Sequence, residues 1–570
     1  LRDGVYVINY QGGLDEYPIE MALSSNLTVS GADTSKELKF KPITEWVFTD
    51  RTISNATAYK GLSFTGSVNV RGGNGDLNAA SGATITIPVK VGEKVVITDY
   101  YASNYTVEGG ELIQNTSNST SVNVVSEYIY QGTSDGTVTI NIGGVTYFKS
   151  IKKLPVVEYR ATITVGSDKD YQTITDAIKE IENMVRPNNE LVTVLIDPGN
   201  YEEMLVINNP NITLKNAAST PSIGLLNKGV DIENGAVRIT SYYGQKYNFF
   251  SQGNDNKWSA EALEINKANG YTNYVNKEGT GSGSSYWNAT VVVNSVGFTV
   301  EDIILENSFN QYISKKESED IVLAKDPNSQ PIRPTDYGNT AVQNRGAGFV
   351  TQAAAIGISS SADKVILKNC RVIGRQDSFY GAAPARVVVY KGVMMGAVDY
   401  IFGGMNAVFY KTDFVFNTSD TSSDAAYITA AQQQNNQRGF LMYECHIKSP
   451  IAGIETASSF GAKPGFFGRP WSANFSEVVF FKTTIDKSTY PGSEGLSLIN
   501  PVGWTNSLGG ESPFMYEFGT VEEAELNNSE QRASWSTVLT SPTLTDGTEI
   551  TTFNFTKGND SWDPITELNS

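Results

Sequence analysis

Two aspartates stand in a repeated sequence frame in the second half of the chain. The frames are Asp377-Ser-Phe-Tyr-Gly381 and Asp399-Tyr-Ile-Phe-Gly403, so the two acids are 22 positions apart. Two glutamines, Gln352 and Gln376, are 24 positions apart, and the second directly precedes Asp377. Carboxylates can attack a carbonyl or transfer protons, and side-chain amides can donate hydrogen bonds to a developing negative charge.

Offsets of 22 to 24 residues are typical of one coil in a solenoid of stacked parallel strands. Equivalent positions on adjacent coils would then lie about 4.8 Å apart, the usual spacing between strands. Such a fold would bring Gln352, Gln376, Asp377 and Asp399 to one patch. The spacing alone fits equally well a polar ladder that only satisfies the edges of the coils.

A short apolar strand, a polar corner and a further apolar residue recur along the chain, as a solenoid requires. The segments that share this pattern are 302–309, 365–372, 408–414, 440–447 and 478–485. Their spacing exceeds one bare coil, so we expect loops inserted between the strands, and such loops can form the walls of a groove. Two long stretches, 217–288 and 310–345, interrupt the pattern. The first is rich in aromatic residues, which favours a local core over a sugar-binding wall.

The two cysteines occupy equivalent positions in these segments. With Thr412 between them, Cys370 and Cys445 are predicted to lie two coils apart, at about 9.6 Å, which is too far for a disulfide. The sequence therefore predicts two buried free thiols. His446 is the only histidine and no Cys-x-x-Cys pair exists, so we predict no metal site and a structural role for His446.

The composition limits the classes of partner. The 570 residues include 43 Lys and Arg against 61 Asp and Glu, a formal charge of −18, which argues against nucleic acid and anionic membranes as partners. No apolar run reaches the length of about 18 residues that a membrane-spanning helix needs. The chain begins at Leu1 without a basic and apolar leader, as expected of a mature secreted protein.

Residues 1–157 read as an all-β accessory domain that resembles a β-sandwich. Apolar residues alternate over 84–91, and Val138, Ile140 and Ile142 alternate before Gly143-Gly144, which predicts a tight hairpin with the strand that follows. Residues 152–155 break the alternation, and we place the domain boundary after residue 157. We favour a packing or spacing role for this domain, with glycan binding as the alternative.

Residues 158–570 are predicted to form the solenoid. Ile174, Ala177, Ile178 and Ile181 recur at helical spacing, and Thr173 is a plausible N-cap. This amphipathic helix is expected to cover the open end of the solenoid, where unpaired strand edges would otherwise invite aggregation.

The residue types present limit the reactions that this chain can catalyse. With one histidine and no Gly-x-Ser-x-Gly elbow, a serine hydrolase triad is excluded. Paired carboxylates suit either a glycosidase or an acyl transfer in which one acid attacks and the other moves protons. Amide donors beside a nucleophile form an oxyanion hole, which serves a tetrahedral acyl intermediate. The glutamines therefore favour an ester as substrate.

Four motifs, in this order, resemble the signature motifs of pectin methylesterases. They are Gln352-Ala-Ala-Ala-Ile356, Gln376-Asp377-Ser-Phe-Tyr380, Asp399-Tyr-Ile-Phe-Gly403 and Phe467-Gly-Arg469-Pro-Trp471. The resemblance covers about residues 161–565. It implies an all-β fold, a right-handed parallel β-helix with an N-terminal capping helix, preceded here by the smaller antiparallel β-sandwich. It also implies a mechanism without metal or cofactor, and methyl-esterified homogalacturonan, the backbone of pectin, as substrate.

The resemblance assigns a role to each motif residue. Asp399 is implied to be the nucleophile, held ionised by Arg469, and Asp377 the acid that protonates the departing methanol. Gln352 and Gln376 are implied to stabilise the oxyanion. The implied substrate-binding residues are Trp471, Tyr380 and Phe402. The two long insertions are larger than this family usually carries there, which leaves the preferred chain length and methylation pattern open.

Two other classes of protein stay open at this point. Another pectin-active β-helix enzyme is less favoured, because the chain shows neither the calcium-binding acids of a lyase nor the Asn-Thr-Asp and Gly-His-Gly motifs of a polygalacturonase. A β-helix that only binds glycan is the second. We expect a secreted monomer that binds neither nucleic acid nor membrane. The source organism, the pH optimum and block-wise or random action cannot be inferred from the sequence.

Overall fold

A computed structural model of the chain describes residues 4–7, 15, 17–21, 26–29, 40–100, 104–117, 123–244, 289–319, 333–523 and 528–570. The chain divides into two compact units. The first comprises Leu1–Arg160 with Glu180–Glu190, and the second comprises Ala161–Lys179 with Leu191–Ser570. The proposed domain boundary after residue 157 lies near the end of the first long segment of unit 1 and stays a prediction.

The first unit is built from short antiparallel strands. They are β1 (Gly4–Val7), β2 (Ile19–Met21), β3 (Asn26–Val29), β4 (Phe40–Pro42), β5 (Glu45–Val47), β6 (Ala58–Tyr59), β7 (Leu62–Thr65), β8 (Val68–Arg71), β9 (Asp76–Ala79), β10 (Thr84–Val89), β11 (Glu93–Tyr100), β12 (Tyr105–Glu108), β13 (Gly110–Ser117), β14 (Asn123–Tyr130), β15 (Gly136–Ile142) and β16 (Thr146–Pro155). One sheet has the order β12-β15-β10-β7-β6, and another has the order β13-β14-β11-β16-β9-β8 with β5 beside β16.

Side chains from the two larger sheets meet in one core. Ile85 and Ile140 come from the first sheet, Val95 and Phe148 come from the second, and all four are buried in the same cluster. Two antiparallel sheets that share a core in this way form a β-sandwich, the architecture predicted for this part of the chain.

One local prediction for this unit is wrong. The strands on either side of Gly143-Gly144 do not pair, because β15 lies between β12 and β10 while β16 lies between β11 and β9 in the other sheet. An alternating pattern indicates which side chains face the core, and it does not identify the partner strand. The alternation of buried and half-buried side chains ends before residues 152–155, as predicted, although these residues are still the end of β16 and pair with β11.

The second unit is built from parallel strands. They are β17 (Thr162–Val165), β18 (Val192–Ile196), β19 (Gly199–Glu202), β20 (Leu205–Ile207), β21 (Ile212–Asn216), β22 (Leu225–Leu226), β23 (Asp231–Ile232), β24 (Val237–Ser241), β25 (Val291–Val293), β26 (Thr299–Glu301), β27 (Ile303–Asn307), β28 (Ile356–Ile358), β29 (Val365–Lys368), β30 (Arg371–Ile373), β31 (Phe379–Gly381), β32 (Arg386–Tyr390), β33 (Val393–Gly396), β34 (Ile401–Gly403), β35 (Asn406–Tyr410), β36 (Asp413–Phe416), β37 (Tyr427–Ala431), β38 (Phe440–Tyr443), β39 (His446–Lys448), β40 (Phe466–Gly468), β41 (Val478–Phe481), β42 (Thr484–Ile485), β43 (Met515–Phe518), β44 (Val521–Glu522) and β45 (Thr537–Val538). Only the short pair β22 and β23 is antiparallel among these described strands.

The parallel strands form three sheets that the chain visits in turn. Sheet 1 has the order β17-β18-β21-β26-β29-β32-β35-β38-β41-β43-β45, sheet 2 has the order β19-β24-β27-β30-β33-β36-β39-β42-β44, and sheet 3 has the order β20-β25-β28-β31-β34-β37-β40. Each passage through the three sheets is one coil, so the unit is the predicted parallel β-helix. Apolar rings fill its interior: Phe379 of sheet 3 lies 6.2 Å from Phe409 of sheet 1, which lies 5.6 Å from Phe414 of sheet 2.

A single left-handed residue makes the corner between sheet 1 and sheet 2 in successive coils. These residues, all with positive φ, are Asp302, Asn369, Lys391, Lys411, Glu444 and Lys482. Four of them, Asn369, Lys411, Glu444 and Lys482, are polar corners of the recurring sequence pattern. One segment of that pattern is assigned to the wrong sheet. Residues 303–307 form β27 in sheet 2, whereas the corresponding parts of the other four segments lie in sheet 1.

Both cysteines are buried and free, as predicted. Their separation is not as predicted, because the coil that contains β32 and β33 lies between Cys370 and Thr412. The cysteines are therefore three coils apart, or about 14 Å at the usual strand spacing. Burial raises the pKa of Cys370 to about 12 and raises that of Cys445 further.

The two predicted insertions have different outcomes. The stretch 217–288 is not wholly an insertion, because it contains β24 of sheet 2. Tyr242 and Tyr243 lie in a buried cluster with Phe309, as a local core predicts, while the aromatic residues of 247–287 lie outside the described residues. The stretch 310–345 is described at 310–319 and 333–345, where it joins sheet 2 to sheet 3.

The described helices are short. The α-helices are Ile174–Asn183, Lys315–Glu319, Thr552–Thr556 and Pro564–Asn569, and the 3-10 helices are Asn227–Gly229, Ser308–Asn310, Ala341–Gln343, Arg345–Ala347 and Ser529–Gln531. The predicted amphipathic helix is Ile174–Asn183, and the hydroxyl of Thr173 accepts the N–H of Asp176 at 3.1 Å as its N-cap. The chain places this helix between β17 and β18, the first two strands of sheet 1, which agrees with the prediction of a capping helix.

Candidate active site

The two aspartates of the repeated frame lie just before two adjacent strands of sheet 3. Asp377 lies between β30 and β31, and Asp399 lies between β33 and β34, at the corner where the chain leaves sheet 2. Both residues have left-handed backbone conformation, with φ of 57° and 50°. Aspartate is one of the few residues that adopts this conformation readily, because its short side chain can bond to the local backbone. Both carboxylates therefore project from a backbone turn of the same conformation.

The strand register places the predicted residues on consecutive coils. Gln352 forms a parallel bridge with Gln376, and Gln376 forms one with Val398, the residue before Asp399. The N–H of Asp377 donates to the carbonyl of Val398 at 3.1 Å. Asp377 and Asp399 are thus equivalent positions on neighbouring coils, about one strand spacing of 4.8 Å apart.

Arg469 joins these residues from two coils further along sheet 3. It directly follows β40, and the order of the sheet here is β34-β37-β40. Its Nε donates to Oδ1 of Asp399 at 2.8 Å, and its Nη2 donates to Oδ2 at 2.6 Å. This bidentate, charge-assisted pair of hydrogen bonds fixes the plane of the carboxylate and favours its ionised form.

Burial and the arginine have opposite effects on Asp399. The side chain is largely shielded from solvent, and burial raises the pKa of its carboxyl above the ordinary value, while the hydrogen bonds and the charge of Arg469 oppose that rise. The pKa of Arg469 is itself raised, because its hydrogen bonds to Asp399 and the charges of Asp399, Tyr427 and Asp377 outweigh the cost of burial. The arginine therefore stays charged at any pH at which the carboxylate acts.

Two residues that the sequence analysis missed hold Arg469 in place. The guanidinium carbon lies 4.5 Å from the centre of the Tyr427 ring, and Nη1 donates to the hydroxyl of Ser507 at 3.2 Å. The Tyr427 ring stacks in turn on Phe466, with ring centres 5.0 Å apart. No motif marks Tyr427, because its place beside Arg469 follows from the register between β37 and β40.

A third residue that no motif marks, Arg345, contributes charge. Arg345 lies close enough for its charge to lower the pKa of Asp399, and its side chain is 37% exposed. Its Nη1 is 3.6 Å from Oδ1 of the buried Asp424. The residue belongs to the stretch 310–345 that the sequence analysis set aside as an insertion, and no sequence pattern distinguishes it from other loop arginines.

The predicted amide donors lie at the edge of this patch. Gln352 and Gln376 are both half-buried. The hydroxyl of Thr351 donates to Oε1 of Gln352 at 2.9 Å, so the oxygen of that amide is bound by a neighbouring residue. The opposite end of an amide is its NH₂ group, a donor of the kind an oxyanion needs.

The three predicted substrate-binding rings form a row beside the acids. The ring centres of Tyr380 and Phe402 are 5.0 Å apart, and those of Phe402 and Trp471 are 6.1 Å apart. Trp471 is 39% exposed and Tyr380 is half-buried, whereas Phe402 is only 2% exposed. Phe402 thus offers a sugar little surface and packs between the other two rings. Direct contact of Phe402 with substrate stays a prediction.

One group of side chains in the described part of the chain could hold a metal ion. His446, Asp486 and Glu523 offer donor atoms within 4.8 Å of one another. His446 begins β39 of sheet 2, Asp486 follows β42 and Glu523 follows β44, so the group lies on a different sheet from the paired aspartates. His446 is hydrogen-bonded to Asp486.

Taken together, the corner holds a carboxylate bound by an arginine, a second carboxylate on the next coil and two side-chain amides. The sequence-predicted residues Asp377, Asp399, Gln352, Gln376 and Arg469 are all brought to this one corner. The class of protein defined in this way is a parallel β-helix with a two-aspartate site. Such a site can attack a carbonyl carbon with one acid and transfer protons with the other.

Comparison with known proteins shows what the chain is similar to. Residues 338–559 match the family model described as Pectinesterase. A probable pectinesterase/pectinesterase inhibitor 46 from Arabidopsis thaliana is 28% identical over 237 residues, which cover 39% of this chain and 37% of that protein. Pectinesterase A from Emericella nidulans is 28% identical over 212 residues, which cover 37% of this chain and 56% of that protein.

The alignments with these two relatives thus span 37% and 56% of the relatives' own lengths. The crystal structure of the pectin methylesterase from Aspergillus niger, in a penultimately deglycosylated form, aligns with a TM-score of 0.44 at 20% identity. That alignment covers 72% of this chain and 99% of that one. Among the described helices, none combines the length and the apolar character that crossing a membrane requires.

Proposed function

We propose that the chain is a pectinesterase, which hydrolyses the methyl esters of homogalacturonan to pectate and methanol. The observation that carries the proposal is the paired hydrogen bond from Arg469 to Asp399, with Asp377 at the equivalent position of the neighbouring coil. The names of the two relatives, a probable pectinesterase/pectinesterase inhibitor 46 and a Pectinesterase A, agree with this activity.

In the first step, an oxygen of Asp399 attacks the carbonyl carbon of the methyl ester. Negative charge develops on the carbonyl oxygen, and Gln352 and Gln376 donate hydrogen bonds to it, each typically worth about 3 kcal/mol of transition-state stabilisation. The bond to the methoxy group then breaks, and Asp377 gives its proton to that oxygen so that methanol leaves. A mixed anhydride between Asp399 and the galacturonate remains.

In the second step, water hydrolyses the mixed anhydride and frees Asp399. Asp377, now ionised, takes a proton from a water molecule, and the resulting hydroxide attacks the anhydride carbon. The bond to Asp399 breaks, its carboxylate returns to Arg469, and galacturonate leaves as the free acid. The two nucleophiles are Asp399 and water, and Asp377 transfers the protons, so the proposed mechanism uses no metal and no cofactor.

The roles of the two acids follow from their partners. Arg469 bonds both oxygens of Asp399 and so favours its charged, nucleophilic form, whereas the proton donor has to be Asp377. Two carboxylates on adjacent coils also repel each other when both are charged, which favours one proton shared between them at the start. Trp471 and Tyr380 present ring surface beside the acids for stacking on galacturonate.

The test is methanol release from highly esterified pectin by the wild type, by Asp399→Asn and by Asp377→Asn. We expect both variants to bind pectin and to lose several orders of magnitude in turnover, because each lacks a group that reacts. The esterase releases methanol and acid without shortening the polymer, which separates it from a lyase or a polygalacturonase. Unchanged turnover in Asp399→Asn would exclude the aspartyl mechanism. Absence of methanol release by the wild type would instead leave a β-helix that only binds glycan.

The proposal also covers the localisation, the oligomeric state and the domain roles of the enzyme. We propose a secreted, extracellular monomer in which residues 158–570 are catalytic and residues 1–157 are an accessory module for spacing or glycan binding. The formal charge of −18 suits an enzyme that binds the neutral, methylated stretches of its polymer better than the anionic product. At low salt, equal affinity for esterified and de-esterified polymer would contradict this preference.

A further inference from the structure

A polar cavity of about 440 Å³ lies at the corner between sheet 2 and sheet 3, where Asp377 and Asp399 also lie. Most of its lining comes from the segments that join these two sheets in successive coils. The lining residues include Gln343, Asn344, Arg375, Ser419 and Ser458. Arg375 is separated from Asp377 only by Gln376, so the cavity and the candidate active site share one stretch of backbone.

The distinctive feature of the cavity wall is the Arg375 side chain, which is 0% exposed. Its Nη2 donates to Oε1 of Gln343 and Oδ1 of Asn417, both at 3.2 Å. Its Nε and Nη1 have no hydrogen-bond acceptor among the described residues. Nη1 is 3.7 Å from Oδ2 of Asp424, which is too far for a hydrogen bond.

The acids around the cavity do not supply the acceptor that Arg375 lacks. Asp424 accepts the N–H and the hydroxyl of Ser419 at 2.8 and 2.9 Å. Asp420 accepts the hydroxyl of Ser458 at 2.7 Å and the N–H of Ser459 at 2.9 Å. Burial lowers the pKa of Arg375 to about 10 although both acids act to raise it. The nearby negative charge therefore does not compensate for the burial of this cation.

Unmet donors on a buried cation call for a ligand with acceptor oxygens and negative charge, because a charged group that stays unpaired in the interior is costly. A planar guanidinium matches a carboxylate in geometry as well as in charge. The rest of the wall carries hydroxyl and amide groups that suit the hydroxyl groups of a sugar, together with one further cation, Lys228, and one carboxylate, Asp420. The volume also exceeds what a small inorganic anion would fill.

We propose that this cavity binds the free carboxylate of a uronate sugar, with Arg375 as the counter-charge. The identity of the sugar as galacturonate rests on the proposed function, since de-esterified galacturonate is the product of that reaction. Methyl esterification removes the negative charge, so the cavity selects the acid over the ester. The enzyme would thus hold an already de-esterified unit close to the corner where the next ester reacts.

The test is calorimetric binding of galacturonate, of its methyl ester and of inorganic phosphate to the full chain carrying Asp399→Asn, which prevents turnover. In this background we expect galacturonate to bind and its methyl ester to bind at least about tenfold more weakly, because the ester cannot form a charge-assisted pair. Arg375→Gln should weaken galacturonate binding by a similar factor.

Because Arg375 is buried and its replacement can impair folding, a second variant fills the cavity without removing a polar group. Ala457 lines the cavity and is half-buried, so Ala457→Trp should abolish galacturonate binding while leaving Arg375 intact. The matched control is Ser361→Trp, which adds the same side chain on an exposed turn outside the cavity and should bind galacturonate like the background.

Galacturonate binding that is insensitive to both Arg375→Gln and Ala457→Trp would overturn the proposal, and so would equal affinity for the acid and its methyl ester. Phosphate binding as tight as galacturonate binding would overturn the assignment to a sugar. Methanol release by the wild type is measured separately. A wild type that releases no methanol but shows galacturonate binding that Ala457→Trp abolishes would contradict the proposed function and support the cavity.

Discussion

The guanidinium group of Arg469 lies over the ring of Tyr427, 4.5 Å from its centre, while two of its nitrogen atoms bind the carboxylate of Asp399. The ring is attached to the same corner as the acid, because the N–H of Tyr427 donates to the carbonyl of Ala397 at 2.8 Å. The position of the arginine is thus fixed from two sides, by an ion pair on its edge and by an aromatic ring on its face. This arrangement determines the plane in which the nucleophile is held.

We predict that Tyr427→Ala lowers kcat/KM for methanol release by about tenfold, because it removes a partly buried cation–π contact worth about 1 to 2 kcal/mol. Tyr427→Phe is the matched control, and it should keep most of the activity because the ring remains under the guanidinium. If Tyr427→Ala retained wild-type kcat/KM, the ring would not contribute to holding Arg469.

The pH dependence of activity follows from the state of Asp399. The nucleophile has to be ionised, and burial raises the pKa of its carboxyl above the ordinary 3.8, so kcat/KM falls as the pH drops through that raised pKa. Removing the opposing cation should raise the pKa further. We therefore predict that Arg469→Gln shifts the acid limb of the kcat/KM profile to higher pH, in addition to lowering the maximum.

The control for this shift is Arg51→Gln, which removes a cation from the first compact unit and should leave the acid limb unchanged. The residual activity of Arg469→Gln is sufficient for the comparison if the profile is normalised to its own maximum. An acid limb at the same pH in the wild type and in Arg469→Gln would mean that Arg469 does not control the ionisation of Asp399.

The sequence predicts the meeting of the two acids because the coil between them carries no insertion. From Asp377 to Asp399 the chain makes one bare coil, so equal spacing of the motifs translates directly into adjacent strands. The left-handed corners also repeat the same polar residue types, which marks the turns. The β-helix and the grouping of Gln352, Gln376, Asp377 and Asp399 are therefore predicted by spacing and residue type, whereas the place of Arg469 beside Asp399 is implied only by the resemblance to pectin methylesterases.

The sequence-based predictions are wrong where the distance between motifs along the chain no longer gives the number of coils between them. The coil containing β32 and β33 has a polar corner at Lys391, but Gly392 follows it where a cysteine or threonine follows the corner in the next coils, so the recurring pattern does not include this coil. The predicted separation of Cys370 and Cys445 is one coil short for this reason. Tyr427 was missed because residues 417–426 separate it from β36, so its register with Arg469 depends on three-dimensional packing rather than on distance along the chain.

Close packing of adjacent coils directly beyond Asp399 gives a prediction on stability. Gly403 ends β34 with φ of +105°, and a Cβ atom there would lie 2.2 Å from the carbonyl oxygen of Gly381 on the neighbouring coil. The two nearest atoms are backbone atoms of Gly381, which cannot move aside as the end of a flexible side chain can. We predict that Gly403→Ala lowers the free energy of unfolding of the β-helix by more than about 3 kcal/mol, from steric overlap added to backbone strain.

The matched control is Gly453→Ala. Gly453 also has positive φ, at +73°, but no heavy atom would lie within 4 Å of an added Cβ. Its replacement should cost only the strain of the left-handed backbone, about 1 to 2 kcal/mol. Urea unfolding of the two variants, followed by the signal of the β-helix unit, measures the difference. Equal destabilisation would show that the contact with Gly381 yields when the methyl group is added.

A buried acid outside the active site gives a prediction on stability as a function of pH. Glu477 precedes β41, accepts the N–H of Gly439 at 2.9 Å and lies 3.0 Å from Nη2 of Arg438. Burial raises its pKa from 4.5 to about 7 in spite of these partners. Since the folded-state pKa is the higher one, its contribution to stability is fully present below pH 4.5 and is lost as the pH rises to about 7.

We therefore predict that Glu477→Gln reduces the loss of unfolding free energy between pH 5 and pH 8 by about 2 to 3 kcal/mol, because the neutral amide cannot ionise in the interior. The measurement is urea unfolding of the β-helix unit at both pH values. The matched control is the exposed Glu530→Gln, which makes the same chemical change at the surface and should keep the wild-type dependence. A wild-type pH dependence in Glu477→Gln would mean that Glu477 is ionised in the folded protein throughout this range.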